Sequence, residues 1–222
     1  MKIVIKIPTK NRVNLFFPLL DSYYALLSNK HDVQFIINCD QNDFSMRSML
    51  TVERLKTYKN LTYCFAPNKT KIEAINANLD KLPEDFDVLV LSSDDMTPIK
   101  QGYDDVIAQT MLENFPDTDG ALWFNDGTQS NGLNTLPIMG KKYFQRFGYI
   151  YHPSYKSFYA DNEYTQVGKS LGKLHYVDSV IIRHDHCTTT KARLRDELYW
   201  ENEKYWYQDA DTFREREAKN FG

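Results

Sequence analysis

Four short polar stretches hold the residues best able to do chemistry, and each follows an apolar run directly. Pro8-Thr9-Lys10-Asn11-Arg12 comes after the run ending at Ile7. Asn38 to Asp43 comes after Val33 to Ile37, Asn68 to Lys71 after Leu61 to Phe65, and Ser92-Ser93-Asp94-Asp95 after Phe86 to Leu91. Together they offer a guanidinium (Arg12), a carboxylate acceptor (Asp40), an ammonium (Lys71) and an adjacent carboxylate pair. Two adjacent carboxylates repel unless a cation lies between them, and the hard divalent ions Mg²⁺ and Mn²⁺ suit oxygen ligands of this kind. Acceptors that can read a base and a ribose, beside positive charges that can neutralise phosphates, suit a nucleoside diphosphate held with a metal ion. Neither the dinucleotide fingerprint GxGxxG nor the phosphate loop GxxxxGK[ST] is present. A competing reading has Asp94 and Asp95 capping a helix that starts near Met96-Thr97-Pro98, since Asp is a favoured N-cap residue.

The elements that must position these stretches follow from periodicity. Val88 to Leu91 is uniformly apolar and short, the pattern of a strand buried on both faces. Strands are expected at residues 2–7, 33–37 and 61–65. Between them, helices are expected over 13–27, 45–57 and 68–82, the first with Pro18 kinking it or delaying its start. Three strand–helix units in succession predict a parallel sheet with right-handed crossovers, whose strand ends share one edge where ligands bind. Further on, helices are expected over 100–115, 141–147 and 161–171, the last closed by Gly172. Strands are expected over Gly120 to Phe124 and Leu174 to Arg183. Asn125-Asp126-Gly127 reads as a turn and Trp123 as core. The tail from Lys191 is charged and aromatic, a polar helix with an aromatic face packed on the domain, and Lys191 to Arg195 reads as a solvated helix face.

The bulk properties narrow the classes. A chain of 222 residues fits one α/β domain with a small appendage. The net charge of −3 gives no basic field for tight non-specific nucleic-acid binding. Cys39, Cys64 and Cys187 are widely spaced and odd in number, so a reducing, cytoplasmic setting without a disulfide framework is expected. The N-terminus is too short and alternating for a signal peptide, and no apolar run is long enough for a membrane span.

The order of these motifs resembles the family 2 glycosyltransferases, inverting enzymes of the GT-A fold. Ile7 to Arg12 resembles that family's I-P-T-x-N-R. Asn68 to Leu79 resembles N-x-G-K-x-x-A-x-N-x-G-L, with Thr70 and Asn78 in place of both glycines. Leu91 to Asp95 resembles the L-D-x-D-D of the DXD motif, with Ser92 in place of the first Asp. Gly140 to Gly148 and Tyr159 to Tyr164 resemble the later G-x-x-x-F-x-x-x-G and E-D-x-D stretches, with Ala160 in place of the Glu and Glu163 matching the last acid.

The resemblance implies a mostly parallel, Rossmann-like GT-A domain over 1–190, with a nucleotide-sugar half to about residue 98 and an acceptor half from about 99. A helical extension over 191–222 would pack on it. It implies sugar transfer from a nucleotide-diphosphate sugar to an acceptor hydroxyl (of a glycan, protein or modified nucleic-acid base) with Mn²⁺ or Mg²⁺. Pro8, Thr9, Arg12, Asp40, Asn68, Lys71, Ser93 and Asp94 would contact the donor, with Asn38 an alternative to Asp40 near the base. Asp95 and His184 would bind the metal, with His186 as the alternative to His184, and Asp161 would be the general base. Thr9, Asn11 and Asp161 also fit plain helix-capping roles. Two other functions remain open: a nucleotidyltransferase, and a non-catalytic nucleotide-sugar-binding protein of the same fold.

Overall fold

A computed structural model describes residues 1–186 and 195–222; Cys187 and residues 191–194 of the basic cluster lie outside them. The first half alternates as expected. The strands are β1 (Lys2–Thr9), β2 (Asp32–Asp40), β3 (Leu61–Ala66) and β4 (Val88–Leu91), and α1 (Val13–Ala25), α2 (Met49–Lys56) and α3 (Lys71–Asn76) lie between them. These four strands are mutually parallel in the order β3-β2-β1-β4. The sheet then continues through β7 (Ile138–Gly140), β6 (Ala121–Phe124) and β8 (Leu174–Val177) to seven strands. Strand β7 runs antiparallel to both β4 and β6, and β8 is parallel to β6. The remaining helices are α4 (Tyr103–Asn114), α5 (Lys141–Phe147), α6 (Ala160–Ser170), α7 (Glu197–Glu203) and α8 (Trp206–Glu217).

Alternate residues of the central strands point into two cores, one per face. Ile3, Ile5, Ile7 and Val90 join the aromatic side of α1 in one, and Val4, Leu89 and Leu91 join Tyr143, Tyr151 and Tyr164 in the other. Uniform burial of β4 is what its unbroken apolar sequence demands. Helix α1 keeps Pro18 inside it and starts at Val13. Burial of Phe16, Phe17, Leu19, Leu20 and Tyr23 offsets the backbone bond the proline cannot make.

Two expectations are corrected. The helix expected over 68–82 is a short α3 that stops at Ala77. Asn78 then turns left-handed at φ 58° before a single 3₁₀ turn, Leu79–Lys81. Side chains take over the bonds a longer helix would make: Lys6 Nζ donates to Ala77 O (2.6 Å), Asn38 Nδ2 to Ala74 O (3.0 Å) and Asn78 Nδ2 to Asn38 Oδ1. Asparagine tolerates the left-handed region, so Asn78 serves where the family pattern has glycine. The strand expected over 174–183 is two strands in different sheets, because a turn closed by Ser179 N to Val177 O (2.8 Å) breaks it. The competing reading of a helix from Met96 also fails, because Met96–Pro98 is strand β5, paired antiparallel with β9 (Ile182–His184). Asp94 and Asp95 therefore cap no helix.

Candidate functional site

The ends of β1 to β4 converge as a parallel sheet requires, and a cleft of about 430 Å³ opens over them. Pro8, Thr9, Arg12, Asp40, Asn68, Lys71, Ser93 and Asp94 all line it, together with Asp95 and His186. Asn38 is fully buried and spends its amide on Ala74 and Asn78. Asp40 is the β2-end residue that reaches the cleft; its Oδ1 accepts from Asn42 N (2.9 Å).

Asp94 is buried, and Thr9 Oγ1 (3.1 Å) and Arg12 Nη1 (2.7 Å) both donate to it. Burial pushes its carboxyl up against the pull of Arg12, and the charge of Asp95 adds to the rise. Arg12 is shared between two carboxylates. Its Nε and Nη2 grip Asp196 at 2.6 and 2.9 Å in a bidentate fork. Burial alone would weaken the guanidinium's hold on its proton, but Asp196 and Asp94 outweigh it and Arg12 stays charged. Lys71, like Lys69 and Lys204 of the cleft lining, has no carboxylate within ion-pair distance among the described residues and is open to an incoming anion.

Asp95 behaves oppositely to its neighbour. Burial would raise its carboxyl, but His184, Ser93 and Lys71 overrule burial and hold it well below the usual carboxylate range. The β5–β9 ladder brings His184 here: Met96 pairs with His184, and Asp185 N donates to Asp95 O at 2.8 Å. His184 Nε2 lies 3.6 Å from Asp95 Oδ2, and its Nδ1 lies 3.5 Å from Asp126 Oδ2. Burial would lower the imidazole, yet the two carboxylates raise it to about 9. His186 is pushed the other way, to about 4, by burial and by the charge of His184, whose ring centroid is 5.3 Å away.

Asp95 Oδ2 and His184 Nε2 are an oxygen and a nitrogen donor of the kinds a small divalent cation takes. An ionised carboxylate faces an imidazole nitrogen across a gap that two ligands of one ion can span, and the His184 proton stands where positive charge is wanted. Ser92, in place of the first acid of the family motif, turns its Oγ to Tyr23 Oη (2.7 Å) and away from this gap. Among the described residues no group of three or more His, Cys, Asp or Glu side chains is arranged to hold a metal. A cation here would therefore complete its shell with water and phosphate oxygens, the habit of Mg²⁺ and Mn²⁺.

Asp161 stands in the first turn of α6, half-buried, with Oδ1 accepting from Asn162 N (3.0 Å). Burial raises its carboxyl, and the charges of Lys71 and His184 reach it and pull the other way. The charge of Lys71 bears on Asp95, His184, His186 and Asp161. Glu163, matched to the family's last acid, is buried away from the cleft. It is held by Arg216 (2.6 and 2.9 Å) and Tyr155 (2.8 Å).

Two groups of site residues were not singled out from the sequence. The tail forms a cleft wall: Asp196 grips Arg12 while capping α7 through Tyr199 N (2.9 Å), and Leu198, Tyr199, Asn202 and Tyr205 line the cavity. Lys10 pairs with Glu201 at 3.2 Å on the same side. An Asp before Glu-Leu-Tyr-Trp signals an N-cap, but nothing in the sequence ties it to Arg12. Asp126, read as a turn residue, is one, but it also faces His184. In the tail, Trp206 lies against Phe158 and Tyr159, and Phe213 against Tyr159.

No protein-family model and no curated protein sequence matches this chain. Solved structures do match in fold. A mannosyltransferase from Pyrobaculum calidifontis, in complex with GDP-Man and Mn²⁺, superposes with a TM-score of 0.62 at 14% identity over 80% of this chain and 54% of its own. S. aureus TarS (residues 1–349) superposes at 0.62 and 15% identity over 82% of this chain and 60% of its own. A 4-diphosphocytidyl-2C-methyl-D-erythritol synthase from Anaerococcus prevotii superposes at 0.56 and 12% identity, over 91% of this chain and 95% of its own. The chain thus spans a little over half the length of the first two. The fold is GT-A, as the sequence motifs implied.

Proposed function

We propose that this chain is a metal-dependent, inverting glycosyltransferase that moves a sugar from a nucleotide-diphosphate sugar to an acceptor hydroxyl. The observation that carries the reading is the gathering of Thr9, Arg12, Asp40, Lys71, Asp94 and Asp95 around one cleft at the ends of parallel strands, with His184 beside Asp95. GT-A folds bound to GDP-Man and Mn²⁺ support it. Asp40, at the β2 end, would take the base, and Thr9 and Asp94 the ribose side. Lys71 would meet the diphosphate, while Arg12 holds Asp94 in place. Asp95 and His184 would hold Mn²⁺ or Mg²⁺, which supplies charge neutralisation for the departing diphosphate.

Asp161 would accept the proton of the acceptor hydroxyl as that oxygen bonds to the anomeric carbon. The diphosphate leaves from the opposite face, so the anomeric configuration inverts. A carboxyl raised by burial is a better base near neutral pH than an exposed one. Replacing Asp161→Asn should abolish transfer and leave nucleotide-sugar binding intact; undiminished transfer would remove Asp161 from this role. A thermal-shift screen of nucleotide sugars with and without Mn²⁺ identifies the donor, since binding to the native state raises Tm.

A second reading, nucleotidyl transfer, is favoured by the match along 95% of the Anaerococcus prevotii synthase. The two differ in product: the first releases a nucleoside diphosphate and the second pyrophosphate. Among the described residues no helix is long and apolar enough to cross a membrane.

A further inference from the structure

The rim where α8 meets the start of α6 carries an aromatic side chain that packing does not cover. Trp206, the first residue of α8, is 45% exposed. Its indole touches Phe158 (ring centroids 4.9 Å apart, planes at 65°) and Tyr159 (5.2 Å, 60°). Both rings meet it steeply, so neither lies flat over the indole. Phe158 also lines the cleft, as do Lys204 and Tyr205, the two residues before Trp206. Tyr159 sits at φ 61° directly before α6, two residues ahead of Asp161. The left-handed region is unfavourable for a bulky side chain, and such strain persists where the surroundings enforce it, most often at functional sites. Here Trp206 and Phe213 both pack on the Tyr159 ring. A half-exposed indole is thus held firmly between the cleft wall and the turn that presents Asp161.

Charge decides what suits this indole. From Glu197 to Glu217 the chain carries seven carboxylates and three cations. Both cations of α8 are paired, Arg214 with Asp211 and Arg216 with Glu163, and Lys204 lines the cleft with its Nζ over the Tyr205 ring. A single strand of nucleic acid stacks its bases on aromatic rings but also needs cations along its phosphates, and α8 offers none beside Trp206. A neutral sugar needs none. The C–H face of a pyranose lies against the electron-rich face of an aromatic ring, and its hydroxyls stay at the edge.

We infer that Trp206 is the stacking platform for the acceptor and that the acceptor is a neutral glycan, one sugar ring lying on the indole while a hydroxyl of the same glycan reaches Asp161. The inference rests on the glycosyltransferase reading, and it names the acceptor class which that reading leaves open.

The test probes the full chain, without donor, on a microarray of neutral oligosaccharides built from hexoses, N-acetylhexosamines and pentoses, with single-stranded oligo-dT printed beside them. Neutral glycans should be retained and oligo-dT should not. Retention of oligo-dT, or of no neutral glycan, would overturn the inference. The retained oligosaccharide is then titrated by calorimetry. Trp206→Leu keeps an apolar side chain against Phe158 and Tyr159 but no flat ring, and should bind about 10-fold more weakly, whereas Trp206→Phe should stay within about threefold of the wild type. Wild-type affinity in Trp206→Leu would overturn the inference. A further measurement needs no variant to fold: the Trp206 Nε1–H signal in nitrogen-15 spectra of the wild type should move as the same oligosaccharide is added, and an unmoved signal would overturn the inference. Nucleotide sugars with Mn²⁺, read by Tm, report on the donor side separately. Glycan bound at Trp206 with no nucleotide sugar raising Tm would keep the platform and remove the transfer reading; a nucleotide sugar bound with no neutral glycan retained would do the reverse.

Discussion

Asp209 of the C-terminal helix α8 makes the hydrogen bonds that tie this helix to the backbone of the loop delivering Asp161, beside the packing of Trp206 and Phe213, and removing its side chain should be costly. Asp209 is fully buried, and its two oxygens accept three backbone N–H groups: Lys156 (2.9 Å), Ser157 (2.7 Å) and Phe158 (2.8 Å). The same loop returns Lys156 O to Ile72 N of α3 at 3.1 Å, one residue from Lys71. Hydrogen bonds to a charged acceptor contribute roughly 1.5–3 kcal/mol each, and a buried donor left unmet costs about 1–3 kcal/mol. Ser157 is buried, while Lys156 and Phe158 are half-buried and can recruit water. Asp209→Ala should therefore destabilise the fold by about 3–5 kcal/mol. Asp209→Asn keeps an oxygen for Ser157 and Phe158 but turns a donor toward Lys156 N, and should cost about 1–2 kcal/mol. Urea unfolding of the three proteins measures this directly. Nucleotide binding to Asp209→Ala should weaken too, because Ser157 and Phe158 line the cleft. A loss under about 1 kcal/mol for the alanine variant would show that the three bonds do not hold the loop.

Other consequences can be checked separately. Lys6 is fully buried and burial lowers its ammonium from 10.5 to about 8. Its folded-state value lies below the unfolded one, so its charged form penalises the fold. Stability should rise between pH 8 and 10.5, by about 3 kcal/mol at most from this group. The stability of wild type relative to Lys6→Met should grow over that window in denaturant titrations; a constant difference would refute it. Asp95→Asn should abolish the Mn²⁺-dependent part of nucleotide affinity in calorimetry, and should lower the His184 titration from about 9 by removing one of its two carboxylates. Arg12→Lys cannot span Asp94 and Asp196 together. It should cost about 1–3 kcal/mol and speed proteolytic cleavage within α7, read by mass spectrometry.

Strand identity, the parallel first half and the polar strand ends were legible in the sequence because they depend on neighbours a few residues apart. An unbroken apolar run such as Val88 to Leu91 permits little but a doubly buried strand, and parallel order then forces Thr9, Asp40, Asn68 and Asp94 to one edge. The limits of local reading show at Asn76, Asn78 and Lys6. The periodicity through Leu79 is helical, but Asn76 Oδ1 accepts from Ile150 N (2.9 Å) and Tyr151 N (3.3 Å), and Lys6 Nζ takes Ala77 O. Partners about 70 residues away in sequence ended that helix.

What the chain alone determined is the inventory: which strands form, where they end and which charges their ends carry. Only tertiary structure decided how those charges are distributed. Arg12 meets Asp196 across 184 residues, and His184 reaches Asp95 only because β9 pairs with β5 outside the main sheet. Backbone preference and apolar period act over a turn or a strand, whereas the partner of a charged side chain is fixed by which distant elements pack together. The division of labour between Arg12 and Lys71, and the second carboxylate behind His184, thus became visible only in three dimensions.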